Sequence, residues 1–182
     1  MTPMKLILIL SIVEICLMVV TSPSRGQAAK APDPWANWRF LLGTWTGTGS
    51  GKPGEAVENV STFAFELDGN ILVRRNHVVF APKKGEKKGL THDDLLLVYP
   101  TQGEPGFRAI YFDNEGHVIR YKAVPPEKQI AVRLESEDPP TAMRFRLDYV
   151  WNPDHTITGI FSMAVPGDTF KAYTQGVVHR KS

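Results

Sequence analysis

Residues 40–51 read FLLGTWTGTGSG. An apolar triplet runs into a tryptophan, and then threonine or serine alternates with glycine. Glycine weakens a strand interior by roughly 0.5–1 kcal/mol relative to alanine, so Gly43, Gly47, Gly49 and Gly51 around one strand need a reason. Side chains alternate across a strand. If Trp45 points inward, Gly47, Gly49 and Gly51 do too, and Thr44, Thr46, Thr48 and Ser50 point outward. Inward glycine suits a strand that bends sharply or makes room for a neighbour or a ligand. Outward threonine restores strand propensity.

Downstream, strand-like runs alternate with turn signals. The runs are 44–51, 57–67, 70–80, 92–99, 107–113, 117–124, 128–135, 142–152, 156–165 and 168–180. Helical turns are expected only over Trp35–Leu42, just before the first run. Asp68-Gly69 is a two-residue hairpin turn, and it sets Phe65 opposite Leu72 and Phe63 opposite Arg74. Leu72, Arg74, Asn76, Val78 and Phe80 then point inward, with Arg75 and His77 outward. Asp113-Asn114-Glu115-Gly116 reads as a type I turn with a left-handed glycine. It pairs Tyr111 with Ile119 and Ala109 with Tyr121.

Asn152-Pro153-Asp154-His155 pairs Trp151 with Ile157 and Leu147 with Phe161. Met143, Phe145, Leu147, Tyr149 and Trp151 share one face of their strand, opposite Arg144, Arg146 and Asp148. Pro166-Gly167 is read as a tight turn aligning Met163 with Phe170. The inward set on the last strand becomes Phe170, Ala172, Thr174, Gly176, Val178 and Arg180. About ten strands joined by sequential hairpins, each with one apolar face, predict an all-β fold. The expected form is an up-and-down antiparallel barrel, with a two-sheet sandwich as the alternative. The last strand closes against the first, placing the Arg180 guanidinium over the Trp45 indole.

The chain opens MTPMKLILILSIVEICLMVVTSPSRGQAAKA. A lysine flank, a short apolar run and small residues near Ala28 form the pattern of a secretory signal peptide over 1–28. The run is too short for a comfortable membrane-spanning helix. A linker over 29–36 and a barrel domain over 37–182 follow. Cys16 is the only cysteine and lies inside the leader, so the mature chain is expected to form no disulfide and no cysteine metal site. The expected location is periplasmic or extracellular, in a bacterium. A net charge of +2 gives no electrostatic case for nucleic acid.

Gly43-Thr44-Trp45 after a helical turn, with Arg180 on the final strand, resembles the lipocalin-like (calycin) barrels. Those carry a Gly-x-Trp on the first strand and a basic residue from the last strand over the tryptophan. LLGTWTGTGSG is similar to the opening of nitrobindin-type haem-binding barrels. LDGNILVRRN and YFDNEGHVIRY resemble exported bacterial barrels with no assigned activity. The resemblance covers most of residues 38–181. It implies a barrel with Gly43, Trp45 and Arg180 as its structural closure, and in the nitrobindin case a haem held by a histidine near the C terminus.

Function is read from the inward residues. Phe145, Tyr149, Trp151, Phe161 and Phe170 form an aromatic wall, and Arg74, Asn76, Tyr111, Tyr121 and Thr174 supply polar groups. The mixture suits a small apolar or amphiphilic ligand, anionic if its head pairs with Arg74. Two alternatives stand beside this one. Either the interior is filled, with Asp93 or Asp94 satisfying Arg74 and the barrel serving as an envelope interaction protein, or the barrel binds haem. No cofactor is expected in the first reading. His179 and His77 point outward, His117 and His155 sit at turns, and the direction of His92 is open. His92-Asp93-Asp94 is the one acid–base cluster, where a hydrolytic or isomerase activity would sit. Adjacent aspartates face opposite ways, and no nucleophile elbow or metal spacing accompanies them, so an enzyme is not expected. Outward Ile110, Phe112 and Val118 form a modest apolar patch.

Overall fold

The computed structural model of the chain describes residues 32–47, 55–103 and 105–182. The expected signal peptide over 1–28 and the glycines at 49 and 51 lie outside the described residues. The barrel unit spans Pro34–Ser182. It is all-β: a 3-10 helix, Ala36–Leu41, precedes ten strands that close into one antiparallel barrel. The strands are β1 Gly43–Gly47, β2 Ala56–Glu66, β3 Ile71–Phe80, β4 Thr91–Pro100, β5 Phe107–Asp113, β6 Val118–Val124, β7 Val132–Ser136, β8 Arg144–Trp151, β9 Ile157–Ala164 and β10 Lys171–Arg180. Each strand pairs with its sequence neighbours, and β10 closes on β1. The sandwich alternative is thereby excluded.

Turn chemistry sets the registers. Asp68 (φ 57°) and Gly69 (φ 86°) are both left-handed, and Asn70 N donates to Leu67 O at 3.1 Å. Phe65 faces Leu72 and Phe63 faces Arg74, as the type I′ geometry requires. Gly116 is left-handed at φ 92°, and Tyr111 faces Ile119. Trp151 faces Ile157 and Leu147 faces Phe161.

Two expectations are corrected. The strand read over 128–135 begins at Val132, because Gln129 takes φ 75° and Ile130 N donates to Glu127 O in a turn after Pro125-Pro126. The alignment of Met163 with Phe170 is also wrong. Met163 faces Lys171, and Ala172 faces Ser162. A bulge then leaves Tyr173 as the extra residue before Thr174 meets Phe161. One extra residue exchanges the faces of a strand. Thr174, Gly176, Val178 and Arg180 keep the inward parity, while Phe170 and Ala172 lose it. Phe170 lies on the outer face under two guanidinium groups, Arg146 at 3.9 Å and Arg144 at 4.9 Å from its ring centre. Met143 precedes β8 and is exposed.

The interior is packed at the 3-10 helix end. Trp35 and Trp38 stack edge-on or tilted against Phe107 at 4.5 and 5.3 Å, and Trp35 meets Phe65 at 5.0 Å. Leu41 and Trp45 are fully buried. Trp45 Nε1 donates to Leu41 O at 2.6 Å, and the Trp151 ring lies edge-on 6.1 Å away.

The closure explains the two described glycines of the opening strand. Trp45 faces Arg180 across the β1–β10 ladder, and the guanidinium sits 4.4 Å from the indole centre. Arg180 Nη1 also donates to Leu42 O at 2.7 Å. Gly43 takes φ 112°, and a Cβ there would lie 2.6 Å from Arg180 Nη1. At Gly47 a Cβ would lie 2.8 Å from Val177 O. Gly47 needs a bare backbone because the β10 backbone passes too close for a side chain, and Gly43 because of its left-handed φ, with the end of the Arg180 side chain seated over it.

Candidate ligand site

Above the aromatic floor, β2 to β6 and β8 contribute a polar cluster. Inward parity on β3 carries Arg74 and Asn76, which face Leu96 and Asp94 on β4. Asp94 bonds Arg74 Nη2 through Oδ1 and accepts from Asn76 Nδ2 at 2.8 Å through Oδ2. Ser61 on β2 donates to Asn76 Oδ1. From β8, Tyr149 Oη accepts from Arg74 Nη1 at 2.6 Å. Arg74 therefore meets an internal acid, one of the two weighed from the sequence. Asp93 points the other way and contacts His77 on the outer face at 2.6 Å. The strand's alternation separates the two aspartates.

His92 shares the inward parity of Asp94. Its Nε2 lies 3.0 Å from Tyr111 Oη and 3.6 Å from Asp94 Oδ2, and its Nδ1 lies 3.1 Å from Glu115 Oε1. Tyr111 Oη donates to Asp113 Oδ2 at 3.3 Å. His77 and His179 are exposed, and His179 faces Thr46 with outward parity. Among the described residues no cluster of three or more histidines, cysteines or carboxylates could hold a metal ion.

Electrostatics follow from burial and pairing. Burial works against the Arg74 charge, but Asp94 and then Tyr149 outweigh it and hold the guanidinium above its ordinary value. Burial raises the phenols of Tyr111, Tyr121 and Tyr149, and the Asp94 charge adds to each. All three stay neutral, as hydrogen-bonding groups. Asp113 sits low: burial opposes its charge, but hydrogen bonds from His117 and Glu115 outweigh burial.

Two buried guanidinium donors have no partner among the described residues, Arg144 Nε on β8 and, within this cluster, Arg74 Nε. Arg74 is 8% exposed, and an unmet buried donor costs about 1–3 kcal/mol.

The opposite wall is bare. Tyr149 faces Gly159 across β8–β9, and Gly159 faces Gly176 across β9–β10. All three have inward parity. Among the described residues, a Cβ added at Gly159 or Gly176 would meet no atom within 4 Å. In a core packed like an organic crystal, such a position touches neighbours. Inward Thr174 and Gly176 are exposed, and Phe161 and Phe145, stacked at 6.0 Å, are only part-buried. Among the described residues, the interior is packed at the helix end, while no side chain covers the inner backbone of β9–β10 at Gly159 and Gly176.

Of the residues read from sequence, Arg74, Asn76, Tyr111 and Tyr149 join the polar cluster. Tyr121 is fully buried in the core beside them, and Phe161 and Thr174 flank the bare wall. Ser61 and Asp113 were missed as site residues, and His92, whose direction the sequence left open, points inward. Gly159 was within reach of the sequence, because the Asn152–His155 turn places it opposite Tyr149.

No family model and no curated protein matches the chain. The fold defines the class, a closed ten-stranded antiparallel barrel consistent with the lipocalin-like form.

Proposed function

We propose that the protein is an exported barrel that carries a small, largely apolar molecule in its upper lumen. The observation that carries this reading is the facing pair Gly159–Gly176, inward on the β9–β10 wall with no atom of the described residues over either. A barrel whose interior served only as a core would fill that wall with side chains. The apolar body of the ligand lies against Phe161, Tyr149 and the bare backbone, flanked by Thr174. Its polar end meets the cluster of Arg74, Asn76 and Tyr111, with Tyr121 beside it. Concave, mostly apolar sites with a few placed polar groups are the usual form of small-molecule pockets.

The calycin-like closure of Gly43, Trp45 and Arg180 supports kinship with lipocalin-like carriers. Export rests on the leader pattern over 1–28. The reading is of a binding protein rather than an enzyme, since His92 and Asp94 share a face with no nucleophile beside them.

Native mass spectrometry of the exported protein purified from its own host tests this. A small molecule that co-purifies, and is lost when the upper lumen is filled by substitution, is the expected result. A protein that leaves its host empty and takes up no apolar molecule would contradict it.

A further inference from the structure

Resting on that carrier reading, we propose that the bound molecule is uncharged and presents a hydrogen-bond acceptor, such as a ketone or ester oxygen, to Arg74 Nε. The structure argues against an acid in three ways. Arg74 is already neutralised by Asp94, and both side chains are buried, at 10% and 4% exposure. A ligand carboxylate would have to share the guanidinium with Asp94, and two like charges at one site disfavour each other's ionised form.

The charge around the pair also opposes an anion. His92 Nε2 lies 3.6 Å from Asp94 Oδ2, and its Nδ1 meets the half-exposed Glu115 of the β5–β6 turn; Tyr111 links His92 to Asp113, which the exposed His117 holds. Among the described residues, Arg74 is the arginine of a cluster that carries two buried carboxylates, Asp94 and Asp113, with Glu115 at its rim. An added anion therefore meets net repulsion, in a place where burial weakens solvent screening.

The unmet donor favours a neutral acceptor as well. Asp94 and Tyr149 take Nη2 and Nη1 of Arg74, leaving the buried Nε–H without a partner among the described residues. That group requires an acceptor, and a neutral oxygen supplies one without a second charge. Position agrees with this. Tyr149 bonds Arg74 through its hydroxyl and faces Gly159 through its backbone, so one residue links the unmet donor to the bare wall.

The test uses three fluorescent probes on one flat skeleton: the neutral ketone prodan, the matching naphthoate with a carboxylate in place of the ketone, and dimethylaminonaphthalene with neither. Wild-type protein is expected to bind the ketone about tenfold more tightly than either of the others, the scale of one hydrogen bond to a charged donor. Gly176→Val and, separately, Gly159→Val should each weaken all three at least about tenfold by occupying the space. Both should remain folded, because valine favours strands and has room there. Arg74→Met combined with Asp94→Leu should erase the ketone preference while leaving hydrocarbon binding. If the naphthoate binds as tightly as the ketone or better, and the valine variants still block it, the uncharged-ligand inference is overturned and the carrier reading stands. If no probe binds, or the valine variants bind as wild type does, both fall.

Discussion

Asp94 faces Asn76 directly across the β3–β4 ladder and reaches diagonally to Arg74, so one carboxylate satisfies two inward polar side chains. The arrangement places a charge pair inside a barrel whose floor is aromatic. Removing one member leaves the other buried and unpaired, which costs about 3–5 kcal/mol. Asp94→Ala is therefore expected to lower Tm by roughly 10 °C or more, at about 2–4 °C per kcal/mol for a domain of this size. The Arg74→Met/Asp94→Leu double variant should recover much of that loss. A thermal melt series on the singles and the double checks it, and additive losses would contradict the pairing.

The seam between the first and last strands makes a second coupled pair. Arg180→Ala removes the cation over Trp45, worth about 0.5–2 kcal/mol, and the cap on Leu42 O. Gly43→Ala alone should cost about 1–3 kcal/mol, from strain at positive φ together with the clash at Arg180. In the Arg180→Ala background the clash is gone, so the two losses should sum to less than their separate values. Chemical denaturation with Trp fluorescence measures the cycle.

The Asp113–His117 contact predicts a pH dependence. The hydrogen bond to Asp113 raises His117, and Asp113 itself is lowered. A raised histidine contributes stability below its unfolded value, about 6.5, and loses it as pH rises through the folded value. A lowered aspartate contributes above about 3.9 and loses it as pH falls. The pair is thus fully effective only between about pH 4 and 6.5. The Tm difference between wild type and His117→Gln should be largest in that window and shrink on both sides. A difference that grew above pH 8 would contradict the assignment.

Much of the fold was legible because short turns carry strong conformational demands. Asp68-Gly69 and Asp113–Gly116 announced left-handed backbone, and each set a register that placed Phe63, Tyr111 and their partners on the right face. The Arg180–Trp45 closure followed from parity. The bulge at Tyr173 was not legible, because an extra residue in a strand has no side-chain signature when both its neighbours suit either face. That error put Phe170 inside. In the polar cluster, Arg74 and Asn76 were read from alternation. The choice of Asp94 as partner, and the direction of His92, depend on which strand lies beside which and how far each reaches.

The corrected position of Phe170 is itself testable. Under Arg144 and Arg146 on the outer face, it contributes cation–π contacts of about 0.5–1 kcal/mol each and touches no ligand. Phe170→Ala should lower Tm by a few degrees and leave prodan affinity unchanged. A large loss of affinity with unchanged Tm would return Phe170 to the lumen.

Amide chemical-shift mapping by NMR during titration with prodan locates the binding space proposed on the inner β9–β10 wall. The largest shifts are expected at Gly159, Phe161, Thr174 and Gly176, with Tyr149 beside them. Shifts confined to Ile110, Phe112 and Val118 on the outer face would contradict it.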